Sequence, residues 1–457
     1  MIIGIAGDSG VGKSTISELI SLFFGINEVT ILSTDDLHKW DRYSSRWDSI
    51  THLNPDANNL GLGNEHLKDI LEKKEFYRSA YNHKTGYFDP PKLISPTKIT
   101  IIEGLHAFYT DFAKKTIDLK IFVDTNESLR KHWKVVRDTS ERGYSKEKSI
   151  RSIELRKKDA EKNRESQIDA ADVVIKLFSE KEIQNIGQDS EIFNLKCTAF
   201  NVPTEYRFLI DFVKETVETL GEYITTSKQV GNDRCLCQGY GGNISVKLSN
   251  DMMMIKSSGT KVKNHKYSIV DSTGKNILGP RASIETKMHL IFKEKCVMHF
   301  HPICVTTLLC LKDSKRIISE LFQEYEYVEY VNPGNELAQS ISGTRSLCFL
   351  ENHGLIVAGT ALQECTDKMM FVENKSKEFL KQSSSYREFD FDCVYFDNIA
   401  MFPDAVIFDS CSETLSANEY IKKVGSTISE LRPLSSDSVE QIKNMESEKY
   451  RLKKAYS

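Results

Sequence analysis

The chain begins with glycines and a lysine whose spacing is that of a phosphate-binding loop. The stretch Gly7-Asp-Ser-Gly-Val-Gly-Lys-Ser14 has the form G-x-x-x-x-G-K-S, and it follows an apolar run and precedes an amphipathic one. Glycines let backbone N–H groups surround a phosphate, and a following helix adds the positive end of its dipole. Lys13 would reach the β- and γ-phosphates and Ser14 would hold Mg²⁺, although a glycine-rich turn without a ligand is the alternative. The predicted nucleotide-binding residues are Gly7, Asp8, Ser9, Gly10, Val11, Gly12, Lys13, Ser14 and Thr15.

Carboxylates follow two apolar runs that are predicted to be parallel strands. Asp35 and Asp36 come after Val29–Ser33, and Glu103 ends the run that starts at Lys98. Ligands of open α/β sheets bind where such strands end. One aspartate could act as general base for a substrate hydroxyl and the others could lie near Mg²⁺, as an ATP-dependent hydroxyl kinase requires. Capping of a following helix is the alternative role for the aspartates.

Three histidines in the second half of the chain have a pattern that suits a metal ion. His299 and His301 are two residues apart in an apolar run, so in a strand both side chains lie on one face. His353 belongs to a polar triplet that interrupts another apolar run, and Glu285 supplies an acid that is not needed as a ligand. Three neutral imidazoles leave the fourth position of Zn²⁺ open, which is the catalytic pattern. A structural role of the histidine pair is the alternative.

Two glycine-containing stretches near these histidines could bind an anion. Residues 239–246 place glycines and an asparagine before a predicted strand, and residues 254–260 end another strand in hydroxyl groups and a glycine. Both could present backbone N–H groups to an anion. A glycine-rich hairpin explains either one equally well.

The elements that must position these residues alternate between strands and helices in the first half, which predicts an α/β fold. Residues 169–177 form the last predicted strand there, and polar residues follow it. Residues 208–220 have apolar positions at helical spacing and begin a second unit.

Motifs spread over the first half resemble the phosphoribulokinase and uridine kinase family, and within it phosphoribulokinase more closely. They are residues 35–42, 54–58, 81–86, 89–91, 102–106 and 137–143. The resemblance implies a parallel-sheet kinase that uses ATP and Mg²⁺, with Asp35 as catalytic base and Glu103 as the acid beside the metal. It places Arg137 and Asp138 near the transferred phosphoryl group. It also implies a sugar-phosphate pocket that includes His38, Arg42, Tyr81 and His83.

Basic residues outnumber acidic ones between Arg130 and Arg164, with Gly143 between two helical patterns. Such a stretch could form a basic lid that screens the charges of ATP and a phosphorylated acceptor. Arg137 and Arg142 are the residues we select from it, and Arg142 is assigned to the acceptor pocket. A solvated helix face is the alternative.

The second half resembles the class II aldolase and adducin family over roughly residues 205–410. This resemblance implies an α-β-α layered domain in which His299, His301 and His353 bind Zn²⁺ or a similar divalent metal. Glu285 would move the proton during C–C cleavage, and no ligand role is assigned to His289. Related aldolases often carry two serines before the acid, whereas Ile284 occupies the second place here. The residues implied to hold a substrate phosphate are Gly242, Asn243, Ser258 and Gly259.

Composition limits the class of protein. The 457 residues are 40% hydrophobic and 28% charged with a net charge of −4, which gives no global attraction to nucleic acid or membrane. No apolar run is long enough for a bilayer and no signal peptide is evident, so a cytoplasmic location is expected. All ten cysteines follow residue 190 and are expected to be reduced and mostly buried.

The sequence therefore predicts a bifunctional enzyme with a kinase domain (1–185), a linker (186–204), a metal-dependent aldolase-like domain (205–410) and a tail (411–457), expected to form a surface helix. The expected partners are small-molecule sugars or sugar phosphates, not nucleic acid or membrane, and the resemblance to aldolases implies a homo-oligomer. Uridine is the alternative kinase substrate. The second domain is alternatively a pentulose-phosphate epimerase or a non-catalytic binding module.

Overall fold

The computed structural model of the chain describes residues 1–189, 191, 194–383, 386–389 and 399–456, with side chains for all of these except 156–163. The chain divides into two compact units, Met1–Gly221 and Glu222–Ser457. A separate main sheet forms the centre of each unit.

The first unit contains a six-stranded sheet and a two-stranded hairpin, with helices between the strands. Its strands are β1 (Ile2–Ala6), β2 (Val29–Ser33), β3 (Phe76–Arg78), β4 (Lys92–Ile94), β5 (Ile99–Gly104), β6 (Leu119–Thr125), β7 (Val173–Ser179) and β8 (Leu195–Phe200). Its helices are α1 (Lys13–Phe24), α2 (Leu60–Leu71), α3 (Asp111–Thr116), α4 (Glu127–Ser140) and α5 (Lys146–Ile168), and the boundary between the units falls in α6 (Arg207–Asn232).

The order of the six strands is β2-β5-β1-β6-β7-β8, and the first five are parallel. Every residue of β1 is buried, because helices cover both faces of such a sheet and its central strands are apolar throughout. Parallel strands end at a common edge of the sheet. The ends of β1, β2 and β5 therefore meet there, with the glycine loop after β1, the aspartate pair after β2 and Glu103 at the end of β5.

The stretch 186–204, which the sequence predicts to be a linker, contains strand β8 in the structure. This strand pairs antiparallel with β7 over six residue pairs, from Val174↔Phe200 to Ser179↔Leu195. Its residues alternate between buried and less buried positions over a short length, and polar residues precede it, so no long apolar run marks it in the sequence. The sheet of the first unit therefore includes a strand from beyond residue 185.

The second unit contains an eight-stranded mixed sheet in the order β12-β11-β10-β9-β13-β16-β15-β14. Its strands are β9 (Asn243–Lys247), β10 (Met252–Lys256), β11 (Tyr267–Asp271), β12 (Asn276–Leu278), β13 (Cys296–Phe300), β14 (Glu326–Val328), β15 (Leu347–Leu350) and β16 (Gly354–Gly359). Its helices are α7 (Thr286–Ile291), α8 (Ile303–Leu309), α9 (Ser314–Leu321), α10 (Asn335–Ser340), α11 (Leu362–Leu380), α12 (Pro403–Ile407), α13 (Ser412–Gly425), α14 (Ser436–Asn444) and α15 (Glu446–Ala455).

Helices cover both faces of this sheet, which gives the α-β-α layering that the resemblance to the class II aldolase family implies. On one face Val297 of β13 belongs to an apolar cluster with Met288 of α7 and Leu337 of α10. On the other face the Thr366 hydroxyl of α11 lies 3.9 Å from the sulfur of Met298, the next residue of β13. Successive side chains of a strand point to opposite faces, so β13 packs against a helical layer on each side.

The tail after residue 410 is helical, but the prediction of a surface helix is wrong for α13. Most residues of α13 are buried, including Leu415, Ile421 and Val424. Its sequence is rich in small and polar residues, and these allow close helix packing without an apolar stripe that the sequence would reveal. The exposed helix that the charged residues predict corresponds only to parts of α14 and α15.

The nine cysteines within the described ranges are free, and seven of them are buried. Cys393 lies outside the described residues. None of the helices in the described part of the chain has both the length and the apolar character needed to cross a membrane.

Candidate active sites

The glycine loop between β1 and α1 folds tightly around the Lys13 side chain. A Cβ at Gly7 would meet the Val123 carbonyl oxygen at 2.3 Å, and Gly12 caps α1 with a φ of 93°, so both positions favour glycine. The Lys13 ammonium donates hydrogen bonds to the carbonyl oxygens of Gly7 at 2.9 Å and Asp8 at 2.8 Å. Burial lowers the pKa of Lys13, and nearby acidic groups oppose this effect only in part. The ammonium is thus held inside the loop that would receive a phosphate.

Hydroxyl groups from α1 and the carboxylate at the end of β5 form the second part of this site. The Ser14 hydroxyl lies 3.2 Å from Glu103 Oε1, and the Ser17 hydroxyl donates to Glu103 Oε2 at 2.7 Å. Oxygen ligands of this kind suit Mg²⁺, so Ser14 and Glu103 fit the ion that a nucleotide brings. The sequence analysis missed Ser17, although its position three residues after Ser14 on a helix could have indicated it.

The two adjacent aspartates have different surroundings. Asp36 lies 3.2 Å from the Nε of Arg78 and accepts a hydrogen bond from the backbone N–H of Tyr81 at 2.7 Å. Arg78 is buried and also contacts the carbonyl oxygen of Ser33 and the ring of His66. The two oxygens of Asp36 thus connect the segment after β2 to Arg78 of β3 and to Tyr81 beyond it.

Asp35 faces the candidate acceptor pocket instead. Its Oδ2 lies 3.6 Å from the Nε2 of His83. Burial alone would raise the pKa of Asp35, but the contact with His83 and the charges of His38 and Lys13 lower it overall. Asp35 is therefore an ionised carboxylate within reach of the glycine loop.

Cations from α4 and the following turn surround this pocket. Asp138, whose side chain is 1% exposed, lies between Lys134 at 3.0 Å, Arg137 at 3.1 Å and Arg142 at 3.4 Å. Arg137 also donates to the Ser9 hydroxyl of the glycine loop at 3.3 Å. The buried carboxylate of Asp138 thus orients the arginines.

The residues of the predicted acceptor pocket are aromatic and basic. Arg142 lies 3.4 Å from the Nδ1 of His83, and Arg42 donates to the His83 carbonyl oxygen. The Tyr81 ring lies 5.0 Å from the His83 ring and 5.3 Å from the His38 ring, measured between centroids. The structure thus brings together all five residues of the predicted acceptor pocket.

The predicted basic lid is neutralised in part where the structure describes it. Arg130 lies 3.3 Å from Asp8 of the glycine loop, and Arg164 lies 2.6 Å from Asp124 of β6. The cation that α4 presents to the glycine loop here, Arg130, is therefore already paired with an acidic side chain. The side chains of residues 156–163, which include four further basic residues of the predicted lid, lie outside the described part.

In the second unit, three buried imidazoles converge. His299 lies near the end of β13, His301 follows that strand, and His353 lies in the turn between β15 and β16. One nitrogen from each ring lies within 4.8 Å of the others, and the Nε2 atoms of His299 and His301 are 3.2 Å apart. Two nitrogens bound to one tetrahedral Zn²⁺ would be separated by about 3.3 Å.

The protonation of His299 and His301 also suits a divalent metal. Burial lowers the pKa of His299 to about 4 and that of His301 to about 3, so both are neutral near pH 7, as a metal ligand must be. The Nδ1 of His299 lies 3.2 Å from the Leu355 carbonyl oxygen, which directs its Nε2 lone pair toward the other histidines. The donor set and its orientation therefore fit Zn²⁺ or a similar ion.

Glu285 lies at the edge of the histidine cluster. Its Oε1 is 3.2 Å from the Nε2 of His353 and 3.7 Å from that of His299, while Oε2 accepts from the Asn243 amide. Burial alone would raise the pKa of Glu285, but His299, His353 and Arg451 hold it well below the usual value. His289 lies apart from this arrangement, with its Nδ1 2.8 Å from the Ser245 hydroxyl.

The two glycine loops of this unit lie beside the cluster. Gly242 has a φ of 77° and packs so closely on Phe300 that a Cβ would meet that ring at 2.4 Å. The Ser258 hydroxyl is buried and has no hydrogen-bond partner among the described residues, and Gly259 adopts a φ of 69°. A buried hydroxyl without a partner is consistent with a place for a polar ligand group.

Lys256 joins the two loops, and the sequence analysis missed it. Its ammonium donates to the carbonyl oxygens of Tyr240 at 3.2 Å and Thr260 at 2.7 Å, one in each loop. Burial and the nearby Arg451 lower the pKa of Lys256 to about 8. Lys256 directly follows an apolar run, and a basic residue at the end of such a run is the sequence signal that could have indicated it.

Two further charged residues near His301 were not predicted. Asp404 of α12 lies 3.6 Å from the Nδ1 of His301, and Arg451 of α15 lies 2.8 Å from the other oxygen of Asp404. Asp404 stands in the motif Phe402-Pro-Asp-Ala-Val-Ile-Phe408, but Arg451 lies in the charged tail, where one arginine among several basic residues carries no signal.

Comparisons with known proteins agree with the division of the chain into two units. A sequence model of the Phosphoribulokinase / Uridine kinase family matches residues 2–184, and one of the Class II Aldolase and Adducin N-terminal domain matches residues 222–380. The chain is similar to a phosphoribulokinase of Synechocystis sp., with 37% identity over 185 residues, which are 40% of this chain and 56% of that protein. It is also similar to a uridine kinase of Borreliella burgdorferi, with 35% identity over 153 residues, covering 33% of this chain and 72% of that enzyme.

The chain spans about half the length of the phosphoribulokinases that it matches. Among solved structures, the N-terminal class II aldolase domain of a conserved protein from Thermoplasma acidophilum aligns with 20% identity and a TM-score of 0.33. That alignment covers 35% of this chain and 93% of that one.

Proposed function

Because the chain belongs to the phosphoribulokinase/uridine kinase family and carries a class II aldolase-family domain, we propose that it is a bifunctional carbohydrate enzyme. The first unit would phosphorylate a sugar or sugar-phosphate hydroxyl with Mg-ATP. The second would carry out metal-dependent aldol cleavage or condensation of a phosphorylated sugar. The observation that carries the second activity is the convergence of three buried imidazoles beside Glu285.

In the kinase reaction, the glycine loop and Lys13 would bind the β- and γ-phosphates of ATP, with Ser14 and Glu103 on the side of the metal. Mg²⁺ neutralises charge on the phosphates when it is bound. Asp35 would accept the proton of the substrate hydroxyl, because it is the aspartate that faces the pocket. Arg137 would stabilise charge on the transferred phosphoryl group from its position beside the loop.

The charges of the acceptor pocket favour a phosphorylated sugar over uridine. Arg42, Arg142 and His83 lie together in the predicted acceptor pocket. A nucleoside carries no anionic group to pair with two guanidinium groups, whereas a sugar phosphate does. We therefore expect turnover of a pentulose or pentose phosphate in preference to uridine.

In the second unit, His299, His301 and His353 would hold a divalent metal. When bound, the metal would supply Lewis-acid chemistry to the carbonyl and hydroxyl oxygens of a substrate. Glu285 would move a proton, because its ionised carboxylate lies beside the metal position. Ser258 and the backbone of Gly242 and Gly259 would bind the substrate phosphate.

Metal removal and two substitutions test the second activity. Chelation should abolish C–C cleavage and Zn²⁺ should restore it. His301→Ala should lose both metal and activity, whereas Glu285→Gln should keep the metal and lose turnover. Phosphorylation in the same preparations, with Mg²⁺ resupplied, is the control.

Product analysis gives the other decisive outcomes. A new aldehyde supports the aldolase, and a stereoisomer of unchanged mass supports a pentulose-phosphate epimerase. Cleavage that persists in metal-free protein, or substrate trapped on a lysine by borohydride, contradicts the metal mechanism. For the first unit, a screen of phosphorylated and free sugars and uridine with ATP identifies the acceptor class, and preferred turnover of uridine refutes the sugar-phosphate assignment.

A further inference from the structure

Asp404 lies against the outer side of one of the three histidines. Its side chain is buried, and Oδ2 lies 3.6 Å from the Nδ1 of His301 without a hydrogen-bond partner in the described part of the chain. Gly241 packs on both groups, since a Cβ there would meet Asp404 Oδ2 at 2.5 Å and His301 Nδ1 at 3.0 Å. The approach of this carboxylate to His301 therefore requires a glycine at position 241.

Arg451 holds the other oxygen of the same carboxylate. Its Nη1 lies 2.8 Å from Asp404 Oδ1 and 3.3 Å from Glu448 Oε2, and its Nη2 donates to the Tyr240 carbonyl oxygen at 3.3 Å. The side chain of Arg451 is only 12% exposed. A second contact secures the helix, because the Tyr240 hydroxyl donates to the Ala455 carbonyl oxygen at 2.7 Å.

These contacts form one chain of groups from the last helix to the histidine cluster. The Nε2 of His301 faces the other histidines, so its Nδ1 is the nitrogen left for Asp404. A carboxylate on the outer nitrogen of a ligating histidine selects the tautomer with a proton on that nitrogen, and it makes the inner nitrogen a better ligand. A guanidinium group on the carboxylate restricts its rotation and balances its charge.

We propose that Asp404 and Arg451 are positioning residues for His301, and that α15 is thereby part of the metal centre. This inference rests on the metal site of the proposed function. The negative charge of Asp404 beside Nδ1 favours the His301 tautomer that carries its proton there, and Arg451 holds Asp404 in place. Both residues lie beyond residues 222–380, which match the aldolase family model.

Metal affinity tests this role separately from catalysis. The variants are Asp404→Asn, which is nearly isosteric, and Arg451→Lys, which keeps the positive charge but not the fork of donors. Lys453→Ala is the matched control, because it removes an exposed cation from the same helix. The measurements are Zn²⁺ affinity by competition with a chromophoric chelator and the visible spectrum of the Co²⁺-loaded protein.

We expect Asp404→Asn to weaken Zn²⁺ binding by about 10- to 100-fold, the usual effect of losing such an outer partner, and to change the Co²⁺ spectrum. Arg451→Lys should cause a smaller change in the same direction, and Lys453→Ala should match the wild type. If the ion pair only attached α15, its loss would lower thermal stability and leave the Zn²⁺ affinity and the Co²⁺ spectrum of the folded protein unchanged.

Wild-type affinity and spectrum in Asp404→Asn would overturn the proposal. If that variant does not fold, Arg451→Lys decides the question, and wild-type Zn²⁺ binding there overturns the proposal equally. Failure of the wild-type chain to bind Zn²⁺ or Co²⁺ is a different result, because it refutes the metal site itself.

Discussion

Substitution of the two adjacent aspartates by asparagine should give opposite results. Asp35→Asn removes the carboxylate that faces His83 and the glycine loop, so phosphorylation should slow by about 10²- to 10⁴-fold, the usual contribution of a positioned base. Asp36→Asn should leave the chemical step nearly intact. The amide oxygen of the substituted side chain can still accept from the Tyr81 N–H, but the charge opposite Arg78 is lost.

The stability cost of Asp36→Asn follows from the burial of that ion pair. The side chains of Arg78 and Asp36 are only 6% and 15% exposed, and removal of one partner of a buried pair costs about 3 kcal/mol or somewhat more. For a unit that comprises Met1–Gly221, a loss of this size lowers Tm by roughly 6–12 °C. Asp35→Asn loses only the longer and more exposed contact with His83, so its Tm should fall less than that of Asp36→Asn.

Two measurements check this prediction. Steady-state kinetics with ATP and the identified acceptor gives kcat, and calorimetry of the same preparations gives Tm, with ATP titration to confirm that the nucleotide still binds. The reasoning is refuted if Asp36→Asn loses turnover at a temperature where it is folded, or if Asp35→Asn turns over at the wild-type rate.

Three further predictions concern separate parts of the chain. Lys13→Ala should abolish phosphorylation and leave the metal-dependent reaction intact; loss of both activities would contradict independent active sites. Ser258→Ala should raise KM for a phosphorylated substrate of the second unit by about tenfold without changing metal content, since it removes one hydrogen bond to a charged group; an unchanged KM would place the phosphate elsewhere. Burial raises the pKa of Glu373 to about 7, although the N–H groups of Cys304 and Val305 oppose this effect. The folded state then binds more protons than the unfolded state between about pH 4.5 and 7, so the free energy of unfolding should fall by roughly 3 kcal/mol as the pH rises through that range. A Glu373→Gln variant with the same pH dependence of Tm as the wild type would contradict this.

The sequence by itself determined the features that depend on short stretches of chain. Strand β1, the glycine loop and helix α1 are adjacent in the sequence, and each has its own local signal. The sequence therefore places the loop between a strand and a helix. The histidines at 299 and 301 share a face because the side-chain period of a strand is two. The ends of the parallel strands meet because parallel pairing places them at one edge, which is why Glu103 lies beside Ser14.

The roles of neighbouring residues of one type were decided only by tertiary structure. Asp35 and Asp36 have the same chemistry and adjacent positions, so no local pattern separates them. Arg78 separates them, because it reaches Asp36 from a strand more than forty residues away in the chain. The same holds for β8, whose place depends on pairing with β7 and not on its own apolar pattern.

The surroundings of the proposed metal site depend most on long-range packing. Arg451 meets Asp404 only because α15 packs against the loop that contains Tyr240, more than two hundred residues earlier in the chain. A charged tail predicts solvent exposure, because most charged side chains avoid burial unless they are paired. Which charges find a buried partner is set by the packing of complete helices and sheets, and the periodicity of one segment contains no information about the surface against which it will lie.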